Sequence, residues 1–143
     1  MIQLNPRYEA IFNPDNIDQD CDEIASLMNV EADFIKEALD AGLYKQGVTM
    51  YLQLLKSMCE HFVEDEHYCY FDDMYSPEYT IQWIYEAIQN HDIDAESLAL
   101  LDEGHKEILQ SECLRTMVFL HILNKSYYEQ PRTTCFPRWA KNN

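Results

Sequence analysis

Residues 48–63 place the strongest constraint on the fold. Their apolar side chains recur every three or four residues over about four turns, which is the pattern of a helix with one buried face. The apolar positions are Val48, Tyr51, Leu52, Leu55, Met58, Cys59, Phe62 and Val63. The chain has only three glycines and five prolines among 143 residues, so few positions interrupt helices. These features predict an all-α fold.

Local start and stop signals predict a bundle of about five helices in a single helical domain over residues 1–143. Asp20 or Asp22 is a suitable cap for a short helix that runs to Met28, and Asn29 for a second one that ends at Gly42. We therefore expect these two short helices to form a hairpin. The predicted apolar stripe of the second helix is Phe34, Ile35, Ala38 and Leu39.

Two further helices follow the one over residues 48–63. The fourth begins at Ser76 and Pro77, since proline suits the first position of a helix. The fifth begins at Asp94, with Ile93 and Leu98 placed as a hydrophobic staple, and extends to about Lys125. Gly104 is expected to bend or split it. The apolar positions of the fourth helix are Ile81, Ile84, Tyr85 and Ile88.

Outside the predicted helices we expect an irregular lead-in over residues 1–19 and a basic, mobile tail over residues 130–143. An acidic, aromatic-rich loop is expected between the third and fourth helices. No internal repeat is apparent in the sequence. These expectations describe one domain without an internal linker.

Negative charge is concentrated in the middle of the chain. The formal net charge is −16, and the segment between Lys56 and Lys106 holds thirteen acidic residues and no lysine or arginine. A field of one sign repels nucleic acid and anionic lipid and attracts basic partners. We therefore expect a basic protein surface as the partner, with no direct nucleic-acid or membrane binding.

The five cysteines are odd in number, scattered and never arranged as C-x-x-C, so neither a disulfide framework nor a zinc site is indicated. The longest apolar run, from Met117 to Leu120, is too short to span a membrane, and no export signal is recognisable at the start. These features favour a cytoplasmic protein with reduced thiols.

The segment Glu23 to Leu39 resembles a helix-turn-helix motif over about twenty residues, with its turn at Asn29. Its second helix would carry Glu31, Asp33, Glu37 and Asp40 against a single Lys36. Such a helix cannot neutralise phosphates, so the resemblance implies a packing unit and not a DNA reader.

A metal site is the alternative chemistry. Glu64 and His67 have the Glu-x-x-His spacing of carboxylate-bridged di-iron bundles. The candidate ligands are Glu60, Glu64, His67 and His105. However, Glu60 and Glu64 lie opposite the apolar stripe, which predicts a solvated acidic face, and no metal or other cofactor is expected. For His105, the sequence favours a core histidine bonded to a buried carbonyl or tyrosine.

No signature of nucleophilic catalysis or of a phosphate-binding loop is present, which favours a non-enzymatic role. The strongest binding feature is the acidic and aromatic block after the third helix, because tyrosines anchor interfaces and carboxylates pair with basic groups. The predicted partner-binding residues are Glu64, Asp65, Glu66, Tyr70, Phe71, Asp72, Asp73, Tyr75 and Glu78. The opposing interpretation is that these tyrosines fill the core and the acids only confer solubility.

Three functions remain open. The first is a binding protein that occupies, and in one version inhibits, a basic protein surface. This profile resembles that of nuclease immunity proteins and DNA-mimic inhibitors in size, helicity and charge, although no particular residues carry the resemblance. The second is a metal-dependent helical enzyme, and the third a structural, homo-oligomeric helical module.

Overall fold

A computed structural model describes residues 2–11, 21–62 and 77–110, which form five helices. They are α1 (Pro6–Ile11), α2 (Cys21–Asp40), α3 (Tyr44–Phe62), α4 (Pro77–Asn90) and α5 (Ala95–Leu109). The described residues contain no strand, which confirms the all-α prediction. The predicted loop between the third and fourth helices and the predicted tail over residues 130–143 lie outside the described residues.

The first predicted hairpin is wrong, because α2 is one continuous helix of 20 residues. Asn29 lies in its middle and does not cap a new helix. Its side-chain oxygen accepts a hydrogen bond of 2.9 Å from the hydroxyl of Thr80 on α4, so the amide is used between helices. The helix-turn-helix resemblance fails with the hairpin, since the turn that it requires at Asn29 does not exist.

The beginning of the chain also differs from the prediction. Residues 6–11 of the expected irregular lead-in form α1, and Pro6 takes the first helical position. Tyr8 and Ile11 are buried, so the short helix is held by packing against the core.

Several local predictions are confirmed. Helix α2 ends at Asp40, and Gly42, whose φ of +81° allows the turn, follows it with hydrogen bonds from Leu43 N to Ala38 O and from Gly42 N to Leu39 O. Asp94 caps α5 by accepting hydrogen bonds from Ser97, and α4 begins at Pro77. The prediction that Gly104 splits the fifth helix is wrong, because the described part of α5 continues through Gly104 without a break.

Two helical hairpins, α2–α3 and α4–α5, stack in parallel. Four side-chain contacts between them join residues 51 positions apart. Two of them link α2 to α4 or to the residue directly after it, and two link α3 to α5. The pairs are Asn29 with Thr80, Asp40 with His91, Lys45 with Glu96, and Lys56 with Glu107. Helix α2 therefore runs parallel to α4 in one layer, and α3 runs parallel to α5 in the other.

Helices α2 and α4 share a short sequence pattern, which becomes apparent when their buried positions are aligned. Residues 34–39 read FIKEAL and residues 83–88 read WIYEAI. Ile35 and Ile84 are fully buried, whereas Phe34 and Trp83 are exposed, so the first two positions of the two segments have the same environment. The shared pattern covers six residues of α2 and α4. The parallel stacking of the two hairpins is the arrangement found in helical solenoids.

Helix α3 lies at the centre and contacts each of the other four helices. Val48, Tyr51, Leu52, Leu55 and Met58 of its predicted stripe are all buried. The four predicted positions of α4 are buried as well, which confirms the helical periodicity read from both segments. The prediction for Phe34 is wrong, because 44% of this residue is exposed.

The parallel helices α2 and α4 are joined at one end by a pH-dependent contact. The Nδ1 atom of His91 bonds to Ala87 O at 2.7 Å, and Nε2 lies 2.9 Å from Asp40 Oδ1. The hydrogen bond to Ala87 and the carboxylate of Asp40 raise the pKa of His91 above its usual value. The protonated ring satisfies both acceptors at once, so protonation strengthens the contact.

We expect this contact to contribute stability at about pH 6 that is lost as the pH rises through the raised folded pKa. Urea unfolding of the wild type should therefore show a small decline in unfolding free energy from about pH 6 to about pH 9 that His91→Gln lacks. Parallel curves for the two proteins over this range would contradict the prediction.

Candidate protein-binding surface

Eight of the nine predicted partner-binding residues lie within residues 64–75, outside the described residues. The ninth, Glu78, lies in the first turn of α4. These residues stay a prediction from the sequence.

Half of the predicted metal ligands lie outside the described residues, so the metal site stays a prediction. The described residues contain no group of three or more His, Cys, Asp or Glu side chains that could hold a metal ion. Of the four candidate ligands, Glu64 and His67 lie outside the described residues, while Glu60 lies in the last turn of α3. His105 lies on α5 and is fully buried.

His105 is a core histidine, as the sequence predicted. Its Nε2 atom lies 2.9 Å from the hydroxyl of Tyr51 on α3. The rings of Tyr51 and Tyr85 both meet the imidazole edge-on, with centroid distances of 5.7 and 5.5 Å. Burial lowers the pKa of His105 to about 3, so the ring is neutral at physiological pH. It joins α3, α4 and α5 inside the bundle and serves packing.

The most prominent surface feature is a group of exposed apolar side chains on α2 and α4. Leu27, Val30 and Phe34 are 44%, 51% and 44% exposed, and Trp83 is 42% exposed. We call these four residues the outer patch. Single exposed apolar residues are ordinary on protein surfaces, whereas a group on one face marks an interaction site.

Helix geometry places the whole outer patch on one surface. Leu27, Val30 and Phe34 fall within about 60° of each other around α2, at the i, i+3, i+7 spacing. Val30 lies two residues from Met28, which is fully buried and on the opposite side of the helix. The same relation holds on α4, where Trp83 lies two residues from Tyr85, and Tyr85 faces the central helix through its stacking on Tyr51.

The register of the two helices brings Trp83 beside the α2 stripe. Because Asn29 contacts Thr80, the level of Trp83 along the parallel helices lies between Val30 and Phe34. The outer patch, which we also call the strip, therefore lies on the side of the α2–α4 layer that faces away from α3 and α5.

Three exposed carboxylates lie beside the strip on α2. Glu23, Asp33 and Glu37 are exposed on α2, and we call them the acidic rim. Helix α4 has no lysine or arginine in its sequence, and Lys36 is the single basic residue of α2. The surface thus joins large apolar side chains to negative charge, a combination suited to a basic, amphipathic partner.

One arginine of the chain itself is bound at the edge of the outer patch. The guanidinium carbon of Arg7 lies 5.2 Å from the centre of the Phe34 ring, and its Nε atom lies 2.7 Å from Glu31 Oε1. Glu31 is only 4% exposed, so this carboxylate is buried beneath the arginine. Burial and the charge of Glu31 raise the pKa of the neighbouring Tyr8 to about 12. Arg7 thus makes a cation–π contact and an ion pair at once.

A cavity of about 480 Å³ opens on the opposite layer, between the N-terminal segment, α3 and α5. Its described lining includes Leu52 and Leu100 together with Gln53 and Glu103, and contains no histidine or cysteine. Glu107 at its edge is held by Lys56 at 2.9 Å and by the backbone N–H of Ile2. The Glu107 carboxylate therefore has a structural role, because it links the N-terminal segment to α3.

Reading the sequence missed the outer patch for two reasons. Phe34 was assigned to the buried stripe, and Trp83 was not singled out. A helical wheel alone leaves the edge of a buried stripe uncertain by about 100°, which is the step between adjacent residues. Comparison of FIKEAL with WIYEAI would have revealed the shared aromatic position.

No family model matches the chain, and no curated protein or solved structure was found to be similar to it. None of the described helices is both long and apolar enough to cross a membrane.

Proposed function

We propose that this chain is a non-enzymatic binding protein that occupies a basic surface of a partner protein through the outer patch and the acidic rim. The observation that carries this proposal is the exposure of four large apolar side chains on one face of the α2–α4 layer, beside three exposed carboxylates of α2. Apolar anchors supply the binding energy of an interface, and surrounding charges select the partner and accelerate association.

The overall charge supports the same function. A net charge of −16 steers basic proteins toward the surface and repels nucleic acid. The predicted block from Glu64 to Glu78 would add to this steering. We place the activity in the cytoplasm, in agreement with the scattered cysteines, and inhibition of the partner is one outcome of occupying its basic surface.

The test is an affinity capture from native lysate with three versions of the chain as bait. The wild type is compared with Asp33→Lys/Glu37→Lys, which reverses the rim, and with Asp92→Lys/Glu103→Lys, which reverses two exposed acids elsewhere. Both variants change the net charge by the same amount. We expect one stoichiometric partner that elutes with salt, is lost by roughly tenfold or more with the rim variant, and is retained by the control.

Two outcomes would contradict the proposal. Equal loss with both variants would show that the net charge, and not this surface, attracts basic proteins. Capture of many basic proteins that all leave the bait at physiological ionic strength would show that the charge serves solubility.

A further inference from the structure

We infer that the outer patch receives an amphipathic helix of the partner whose flanks carry arginine. This inference rests on the proposed function and specifies the partner's structure and chemistry. Its basis is the shape of the strip, the charge around it and the way in which the surface already holds Arg7.

The shape of the strip matches a helix. Leu27 and Phe34 are two turns apart, about 10 Å, and the rim from Glu23 to Glu37 extends over about 21 Å. Around α2, Val30 lies about 100° from Asn29, which contacts α4, and Leu27 and Phe34 lie farther around the same outer side. A helix that packs on this surface presents apolar residues at i, i+3, i+4 and i+7, and the α2 residues of the outer patch are spaced at i, i+3 and i+7.

The charge around the strip determines the flanks of the incoming helix. Glu23, Asp33 and Glu37 lie on exposed positions of α2, and α4 carries no basic residue. An incoming helix with basic residues beside its apolar stripe would pair with these carboxylates, and one with acidic flanks would be repelled. A second copy of this chain, with a net charge of −16, is a poor occupant for the same reason.

The contact of Arg7 indicates arginine in preference to lysine. Its guanidinium lies over Phe34 and bonds to one oxygen of Glu31, while most of the Arg7 side chain, 59%, stays exposed. The other oxygen, Glu31 Oε2, is buried and has no hydrogen-bond partner within residues 2–11, 21–62 and 77–110. A planar guanidinium can stack on an aromatic ring and donate to a carboxylate together, which an ammonium group does poorly. The edge of the outer patch thus already holds a guanidinium through both contacts, which makes arginine the basic residue best suited to this kind of surface.

The test uses three fluorescent synthetic peptides of about 18 residues, or five turns. The first has leucine at i, i+3, i+4 and i+7 with arginine on both flanks, the second has the same composition in scrambled order, and the third has lysine in place of arginine. Titration with the full chain at physiological ionic strength should rank the arginine helix first. We expect at least tenfold weaker binding of the scrambled peptide and several-fold weaker binding of the lysine peptide.

Variants of exposed residues locate the contact. Trp83→Ala should weaken the arginine helix by about 30-fold, the loss typical of an aromatic interface anchor, and Val30→Ser by about fivefold. Leu43→Ser is the matched control, because Leu43 is 52% exposed, as Val30 is 51% exposed, but lies in the turn after α2. Phe34→Leu keeps an apolar residue and should reduce the preference for arginine over lysine, since it removes the aromatic ring.

The inference would be overturned if the scrambled peptide bound as well as the helix, or if Leu43→Ser weakened binding as much as Trp83→Ala. Sedimentation that showed a wild-type dimer and a monomeric Trp83→Ala variant would assign the face to a second copy of the chain. These results would leave the proposed function intact, because that function is tested separately, by a lysate partner whose binding is lost with Asp33→Lys/Glu37→Lys. Absence of that partner from the affinity capture would contradict the proposed function.

Discussion

Replacement of Gly104 by valine is expected to lower the free energy of unfolding by about 3 kcal/mol or more. Gly104 lies inside α5 at its contact with α3, where a Cβ atom would be only 2.5 Å from both terminal methyl carbons of Leu52. Leu52 is 1% exposed and belongs to the core, so it has little room to move. Urea denaturation followed by circular dichroism would measure the loss.

The Gly104→Ala variant shows whether steric crowding or helix propensity determines the change in unfolding free energy. Helix propensity alone would make alanine stabilising by about 1 kcal/mol at an interior position. We expect destabilisation instead, because the steric cost at Leu52 exceeds that gain. The double variant Gly104→Ala/Leu52→Ala should cost less than the sum of the two single changes, since removing the leucine side chain makes space for the new methyl group.

Gly42→Ala is the control for this experiment. Gly42 has a φ of +81°, and a Cβ atom added to it would have no other atom within 4 Å. Its replacement by alanine therefore costs only backbone strain, roughly 1–2 kcal/mol. This cost should be unaffected by Leu52→Ala. A Gly104→Ala variant more stable than the wild type would contradict the steric argument and show that Leu52 can shift.

Acidification is expected to destabilise the chain through His105. In the folded state burial lowers the pKa of this ring to about 3, whereas an unfolded histidine titrates near 6.5. Between these values the unfolded state binds the extra proton, so stability decreases as the pH falls below about 6.5. Urea unfolding at a series of pH values should show this decline for the wild type and a smaller decline for His105→Gln.

His91→Gln is the matched comparison, because the pKa of His91 shifts in the opposite direction. It should change the pH dependence above about pH 6.5 and leave the acidic decline that originates from His105. Tyr51→Phe, which removes the hydroxyl 2.9 Å from the imidazole, should lower stability by about 1–3 kcal/mol at neutral pH. If His105→Gln and the wild type lost stability equally on acidification, other groups would be responsible.

The local boundaries of the later helices could be read directly from residues. Pro77 lacks a backbone N–H and begins α4, Asp94 caps α5, and Gly42 adopts the positive φ at the turn after α2. These signals operate over a few neighbouring positions, so no knowledge of the rest of the fold is needed. The buried positions of α3 and α4 follow from helical periodicity for the same reason.

Contacts between residues distant in sequence determined the role of Asn29 and the stacking of the hairpins, which local patterns did not predict. Asn29 is equally suited to cap a helix or to bond across one, and Thr80, 51 residues away, uses it for the second purpose. The parallel stacking of the hairpins likewise depends on contacts such as Asp40 with His91. Each contact needs the position of another helix, which local propensity does not specify.

The candidate site, too, was predictable from the sequence only in part. Composition and charge alone indicated an acidic protein suited to a basic partner, because net charge is a property of the residues and not of their arrangement. The location of the outer patch required the tertiary structure, since the packing of α2 against α3 and α4 leaves Phe34 outside and buries Ile35 beside it. Which side chains remain on the surface is decided by the neighbouring helices, and these are brought together only by folding.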